Sequence, residues 1–185
     1  MIRPVYALGF SVLKKPTVEI EGGYPELEKL IADMWETMYN AKGIGLAAPQ
    51  IGLSLRLFIV DTEQMEEEDD DEKGIKKVLI NPKMISETGD EWAYEEGCLS
   101  IPQVTGDVDR YEKIKIEYYD EQFKKHVESY DGMNARVIQH EYDHIEGILF
   151  TERLKPLKKR LIKRKLENIK KGNVDVSYKM KFKLR

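Results

Sequence analysis

Residues 139–147 read QHEYDHIEG, and within them His140 and His144 stand four positions apart with Glu141 beside the first. In an α-helix, positions i and i+4 lie on one face about one turn apart, so both imidazoles can reach a single ion. The pattern therefore asks for a helix. Two ligands do not hold a divalent ion, so a chain that uses this site must bring a third donor to that helix from another segment. That requirement is long-range, and few folds meet it. Of only three histidines in the chain, two fall at ligand spacing around a Glu. Without a third donor the same residues are an ordinary solvated helix face.

Periodicity supplies the elements around this one. Leu27, Leu30, Ile31, Met34, Trp35 and Met38 recur at helical spacing, which predicts a helix from near Pro25 that Gly43 ends. Residues 55–61, 78–82 and 113–120 are short, rich in β-branched and aromatic residues, and bounded by Gly, Pro or charges. They read as strands, the last paired with HVESYDG through a hairpin across Asp120 to Lys125. The histidine helix is expected over 132–148, with Val137, Ile138, Ile145 and Ile148 as its apolar contacts. A third helix begins near Pro156 and carries Leu157, Leu161, Ile162, Leu166 and Ile169 up to Gly172.

With 185 residues, 41% of them hydrophobic, the chain can bury one core, and no linker or repeat divides it. Cys98 is the only cysteine, so no disulfide can form within the chain, which fits a reducing compartment. No apolar run reaches the ~18 residues of a membrane span. The first residues lack a secretory or import pattern, so a cytoplasmic location is the expectation. Net charge is −4 but unevenly spread: 153–185 holds 14 basic and 2 acidic residues, against 16 basic and 32 acidic before it. The acidic run Glu66 to Glu72 repels itself and reads as a solvated loop insertion. It lacks the ligand spacing of a calcium loop.

The third donor could be Asp, Glu, His or Cys. Downstream of His144 there is no histidine, and acidic residues are few: Glu146, Glu152, Glu167 and Asp175. Upstream lies EEGCLS, 95–100, with Cys98. Taken alone, such a thiol is more often a small buried hydrophobe than a ligand, and beside a metal it would be a thiolate. Gly97 before it suggests close approach to the backbone. A further segment, GIGLAAPQ at 43–50, leaves main-chain groups uncovered by side chains and ends in the uncharged donor Gln50. It is a poor phosphate cradle, since no Lys-Ser/Thr follows.

Together GIGLAAPQ, EGCLS and QHEYDHIEG resemble, in order, the three signatures of the peptide deformylases, over roughly residues 1 to 165. The resemblance implies an α+β fold with small antiparallel sheets packed around a central metal-binding HExxH helix, between an N-terminal helix and a C-terminal one. It implies one catalytic domain over 1–171, including the basic helix at about 156–171, followed by an extension at 172–185 whose alternation suits a strand or an arm. Cys98, His140 and His144 would be the metal ligands. One divalent ion is implied, Fe2+ physiologically, with Zn2+, Ni2+ or Co2+ able to substitute. The reaction implied is removal of the N-formyl group from the initiating methionine of new polypeptides, with release of formate. Metal-held hydroxide would attack the formyl carbonyl, Glu141 would act as general base and then acid, and Gln50 and the Leu99 N–H would stabilise the oxyanion. The nascent peptide would add as a strand near Ile44, Gly45 and Gly97. Its methionine would enter a pocket of Ile44, Val137, His140, Met133 and Tyr94.

Two other readings use the same residues. An HExxH metallopeptidase would take a carboxylate as third ligand and would not need Cys98. A non-catalytic metal-bearing module that docks on ribosomes or RNA has no use for Glu141. Partners are expected to be nascent N-formyl-Met polypeptides and the ribosome, the latter through the basic C-terminal helix, with no membrane and no DNA. On that helix the apolar residues are expected to face the body, leaving Lys158, Lys159, Arg160, Lys163, Arg164, Lys165, Lys170 and Lys171 outside.

Overall fold

The computed structural model describes residues 1–65 and 73–183, so the acidic run expected to form a loop insertion lies outside the described residues. The chain starts in a short strand, β1 (Val5–Tyr6), and then forms helix α1 (Leu27–Asn40). Leu27, Leu30, Ile31, Met34 and Met38 are buried along one side of α1, and Trp35 packs at its margin, as their spacing predicts. The stop signal differs from expectation. Lys42, not Gly43, takes the left-handed conformation, at φ 57°, and the Gly43 N–H donates to the Met38 carbonyl at 2.9 Å. Gly43 is small for another reason: an added Cβ would lie 2.8 Å from Leu99 Cδ1.

Five strands follow as β2 (Gly45–Ala47), β3 (Leu57–Asp61), β4 (Lys76–Cys98), β5 (Ile101–Tyr119) and β6 (Lys125–Asp131), paired antiparallel in that order. β4 and β5 extend well beyond the segments 78–82 and 113–120 read as strands. In β4 the ladder shifts register between Ile80 and Lys83, and Asn81 there has φ 50°. This bulge takes up Pro82, which cannot donate to a ladder, so the strand passes the residue expected to end it. In β5 the inward positions beyond the expected segment are Val104, Gly106, Val108 and Arg110, all lying along one face. A glycine and an arginine in that series break the apolar alternation that strand reading depends on. The β5–β6 hairpin follows expectation, with Asp120 Oδ1 accepting from the Gln122 and Lys124 N–H groups.

Helix α2 (Gly132–Ile145) lies against this sheet, with Ala135, Val137, Ile138 and Ile145 buried against Phe58, Leu79, Ile114 and Ile116. It stops three residues short of the expected end at Ile148. Gly147 turns left-handed at φ 75°, and the Ile148 N–H reaches back to the Asp143 carbonyl at 2.9 Å. A side chain at 147 would also meet the Lys15 backbone nitrogen at 2.7 Å.

Two more helices follow, α3 (Phe150–Arg153) and α4 (Pro156–Lys170), and the tail ends in β7 (Met180–Lys181), which pairs parallel with β1. Only part of the expected apolar face of α4 is covered. Ile162 and Ile169 are buried and Leu166 half-buried, but Leu157 and Leu161 are 70% and 69% exposed. The buried stripe runs through 162, 166 and 169, and the two leucines sit one position off it, about 100° round the helix. None of the helices, over the described residues, is long and apolar enough to cross a membrane.

Candidate functional site

The end of β4 and the middle of α2 meet beside β2. Cys98 Sγ lies 3.3 Å from His144 Nε2, and one donor atom from each of Cys98, His140 and His144 falls within 4.8 Å of the others. The His140 and His144 rings stand edge to face at 5.1 Å between centroids. Two helical turns thus supply two ligands, and a strand end supplies the third. The donors remaining on the three side chains suit one divalent ion, since soft thiolate and imidazole both bind Zn2+ or Fe2+.

His140 is oriented from behind. Its Nδ1 lies 2.9 Å from Glu96 Oε2, which leaves Nε2 for the site. Glu96 is buried and also accepts from Arg110 Nε at 2.6 Å, Arg110 Nη2 at 2.9 Å and Arg136 Nη1 at 3.0 Å. Arg110 donates further to Asp143 Oδ2 at 2.7 Å, and Arg153 grips Asp143 with two bonds of 2.6 Å. Burial works against a charged Glu96, but His140 and Arg110 hold it well below the usual carboxylate range. Burial, with the His140 charge added, pushes His144 well below its ordinary value, which keeps its ring neutral and free to ligate. For His140 burial is outweighed by hydrogen bonding to Cys98 and Glu96, which raises it to about 10 without a metal.

Glu141 is buried on the inner face of α2, and its Oε2 has no hydrogen-bond partner among the described residues. Burial raises its carboxyl to about 7. A buried carboxylate without a partner is costly unless something enters to meet it. Gly45 makes room for it: a Cβ there would stand 2.4 Å from Glu141 Oε1. Gln50 lies in a short helical turn, Ala48–Ile51. Its Oε1 accepts from the Ala47 N–H at 2.8 Å, which fixes the amide so that Nε2 faces Cys98 Sγ at 3.5 Å.

Above the cluster opens a cleft of about 600 Å³. Every residue expected at the site lines it except His144, which is buried beneath: Ile44, Gly45, Gln50, Tyr94, Gly97, Cys98, Leu99, Met133, Val137, His140 and Glu141. Gly97 has room for a side chain within the protein, its nearest neighbour being Thr105 Cγ2 at 3.5 Å. Sequence reasoning missed Arg110, Arg136 and Asp143, which hold Glu96 or one another, and the tail residues that close one side of the cleft. Arg110 sits at an inward strand position and leaves no motif. The tail's alternation was visible, but its destination was not.

A cysteine and two histidines around an open cleft, with a buried glutamate on the next helix position, make a donor set that suits a metal-dependent hydrolase. The comparisons with known proteins agree: residues 2–160 match the polypeptide deformylase family, and the chain belongs to it. It is 58% identical to the peptide deformylase of Christiangramia forsetii, across 98% of this chain and 96% of that one. It is 55% identical to that of Cytophaga hutchinsonii, over the whole of both. Among solved structures, a peptide deformylase from Legionella pneumophila superposes with a TM-score of 0.81 at 39% identity, covering 94% of this chain and 98% of that one.

Proposed function

We propose that the protein removes the formyl group from the N-terminal methionine of nascent polypeptides, in the cytoplasm, and that Cys98, His140, His144, Glu141, Gln50 and Leu99 carry the reaction. The observation that supports this most directly is Glu141, buried and, among the described residues, unpartnered at Oε2, beside a three-donor cluster that an open cleft reaches.

Cys98, His140 and His144 would hold one divalent ion, Fe2+ in the cell, which when bound acts as a Lewis acid and lowers the pKa of a coordinated water. Glu141 takes the proton of the attacking water and then delivers it to the departing amine, a role that suits a carboxyl raised to about 7. The Gln50 amide and the Leu99 N–H donate to the formyl oxygen as charge builds there; one such donor is worth about 10²- to 10³-fold in rate. Ile44, Val137 and Met133 surround the methionine side chain, with His140 and Tyr94 at its edge. The peptide backbone lies along Ile44, Gly45 and Gly97, which accounts for indifference to most sequences. Formyl selectivity would come from close quarters beside the bound ion, where a formyl group carries hydrogen and an acetyl group carries methyl.

The test is formate release from a formyl-Met peptide by anaerobically prepared, iron-loaded protein. No release would overturn the proposal. The peptidase reading predicts instead that Cys98→Ala keeps its metal. The basic face of α4, where Lys159, Arg160, Lys163, Arg164 and Lys165 are exposed, would hold the enzyme near ribosomal RNA, where its substrates emerge.

A further inference from the structure

The tail does not stop at the helix. From residue 172 to 183 its side chains alternate between half-buried and exposed, with Val174, Val176, Tyr178, Met180 and Phe182 turned inward. Val174, Met180 and Phe182 pack on the core cluster built from Leu13, Ile101, Phe150 and Ile162. Val176 and Tyr178 do not join that cluster and instead line the cleft above Cys98. Hydrogen bonds hold the segment along its length. Gln103 Nε2 donates to the Asp175 carbonyl at 2.7 Å, the Tyr178 hydroxyl donates to the Leu99 carbonyl at 2.7 Å, and the Val5 N–H donates to the Lys179 carbonyl at 2.8 Å. An extended strip is thereby laid against the rim of the site, at the residue after Cys98.

Polypeptide bound along Gly45 and Gly97 must leave the cleft past some wall. The Lys42–Gly45 segment lines the same cleft with two glycines among its four residues, and the tail adds an aliphatic and an aromatic side chain. We propose that residues 175–178 form the wall that reads the peptide beyond its methionine, with Val176 the specificity-determining contact for an apolar side chain at one of the next two residues and Tyr178 the positioning residue that fixes the wall to Leu99. The inference rests on the deformylase reading for the identity of the peptide, and its site lies outside the metal ligands and the methionine pocket.

The experiment compares full-length wild type, Val176→Ala and Tyr178→Phe on formyl-Met-Ala and on formyl-Met tripeptides with Leu or Asp after the methionine or one residue further. Wild type is expected to favour Leu over Asp. Val176→Ala should reduce that preference about threefold to tenfold, through KM rather than kcat. Tyr178→Phe should raise KM for the tripeptides and speed amide exchange across 175–178 while keeping the fold. Calorimetric binding of the unformylated tripeptide products gives a readout free of turnover, and there Val176→Ala should weaken the Leu peptide and spare the Asp one. Formate released with the same Leu preference in all three proteins would overturn the wall and leave the deformylase reading intact. If no peptide releases formate, that reading falls, and equal product binding by wild type and Val176→Ala would sink the wall as well.

Discussion

Replacing Arg110 by Met removes the central cation of a buried network while keeping a side chain of similar length. Arg110 is 3% exposed and makes three charge-assisted hydrogen bonds, two to Glu96 and one to Asp143. Breaking a buried ion pair by removing one partner costs ~3–5 kcal/mol, because the other charge is left in a poorly solvating interior. Here each stranded carboxylate keeps other donors, Arg136 and His140 on Glu96, and Arg153 on Asp143. The loss should therefore fall at the low end, about 3 kcal/mol, which for a chain of this size lowers Tm by about 6–12 °C. Urea unfolding of both proteins in chelator measures it without a contribution from bound metal. The pH dependence is a second check. Glu96 is depressed in the folded state, so the stability it lends is present above the ordinary carboxyl value of 4.5 and is lost as pH falls through the folded value. In the variant that depression is smaller, so the gap from wild type should be widest near neutrality and narrow on acidification. A loss below ~1 kcal/mol at neutral pH, or a gap that widens in acid, would refute the assignment of this network as a structural brace under His140.

Three further outcomes are expected. Glu141→Gln should keep the metal content of wild type, measured by elemental analysis, and lose about 10²- to 10⁴-fold in formate release, whereas Cys98→Ala should lose metal and activity together. Gly45→Ala forces a Cβ to within 2.4 Å of Glu141 Oε1, so the carboxylate must move by roughly 1 Å or more; activity should fall about 100-fold with thermal unfolding little changed, and unaltered turnover would contradict the placement. Charge reversal at Lys159, Lys163 and Arg164, all exposed, should abolish the salt-sensitive part of ribosome co-sedimentation and leave formyl-peptide hydrolysis unchanged. That variant is a better probe than cutting the chain before Lys158, because the cut would also remove the buried Ile162 and Ile169.

Much of the site was legible because its chemistry is local. His140, Glu141 and His144 share one helix, Gln50 ends one loop, and Cys98 has no rival thiol. The helices were legible for the same reason, since a 3.6-residue period survives in the chain itself. Strand ends were not. Pro82 reads as a stop and is absorbed by a bulge, and Arg110, outside every segment that reads as a strand, is buried at an inward strand position, because both outcomes depend on partners tens of residues away. Leu157 and Leu161 fit the apolar pattern of α4, yet which 100° of a helix is covered is decided by what packs on it.

By itself, then, the sequence determined the candidate donor types, their helical spacing, the glutamate beside them and the alternating pattern of the tail, all of which are properties of short segments. Only the tertiary structure decided that Cys98 comes within 3.3 Å of His144, that Glu96 is clamped by two arginines, and that Tyr178 reaches Leu99 from 79 residues away. These contacts arise from the packing of a long antiparallel hairpin on α2 and of the tail on the N-terminal strand. Such packing is set by the sum of many weak apolar burials over the whole chain, and no single segment records it.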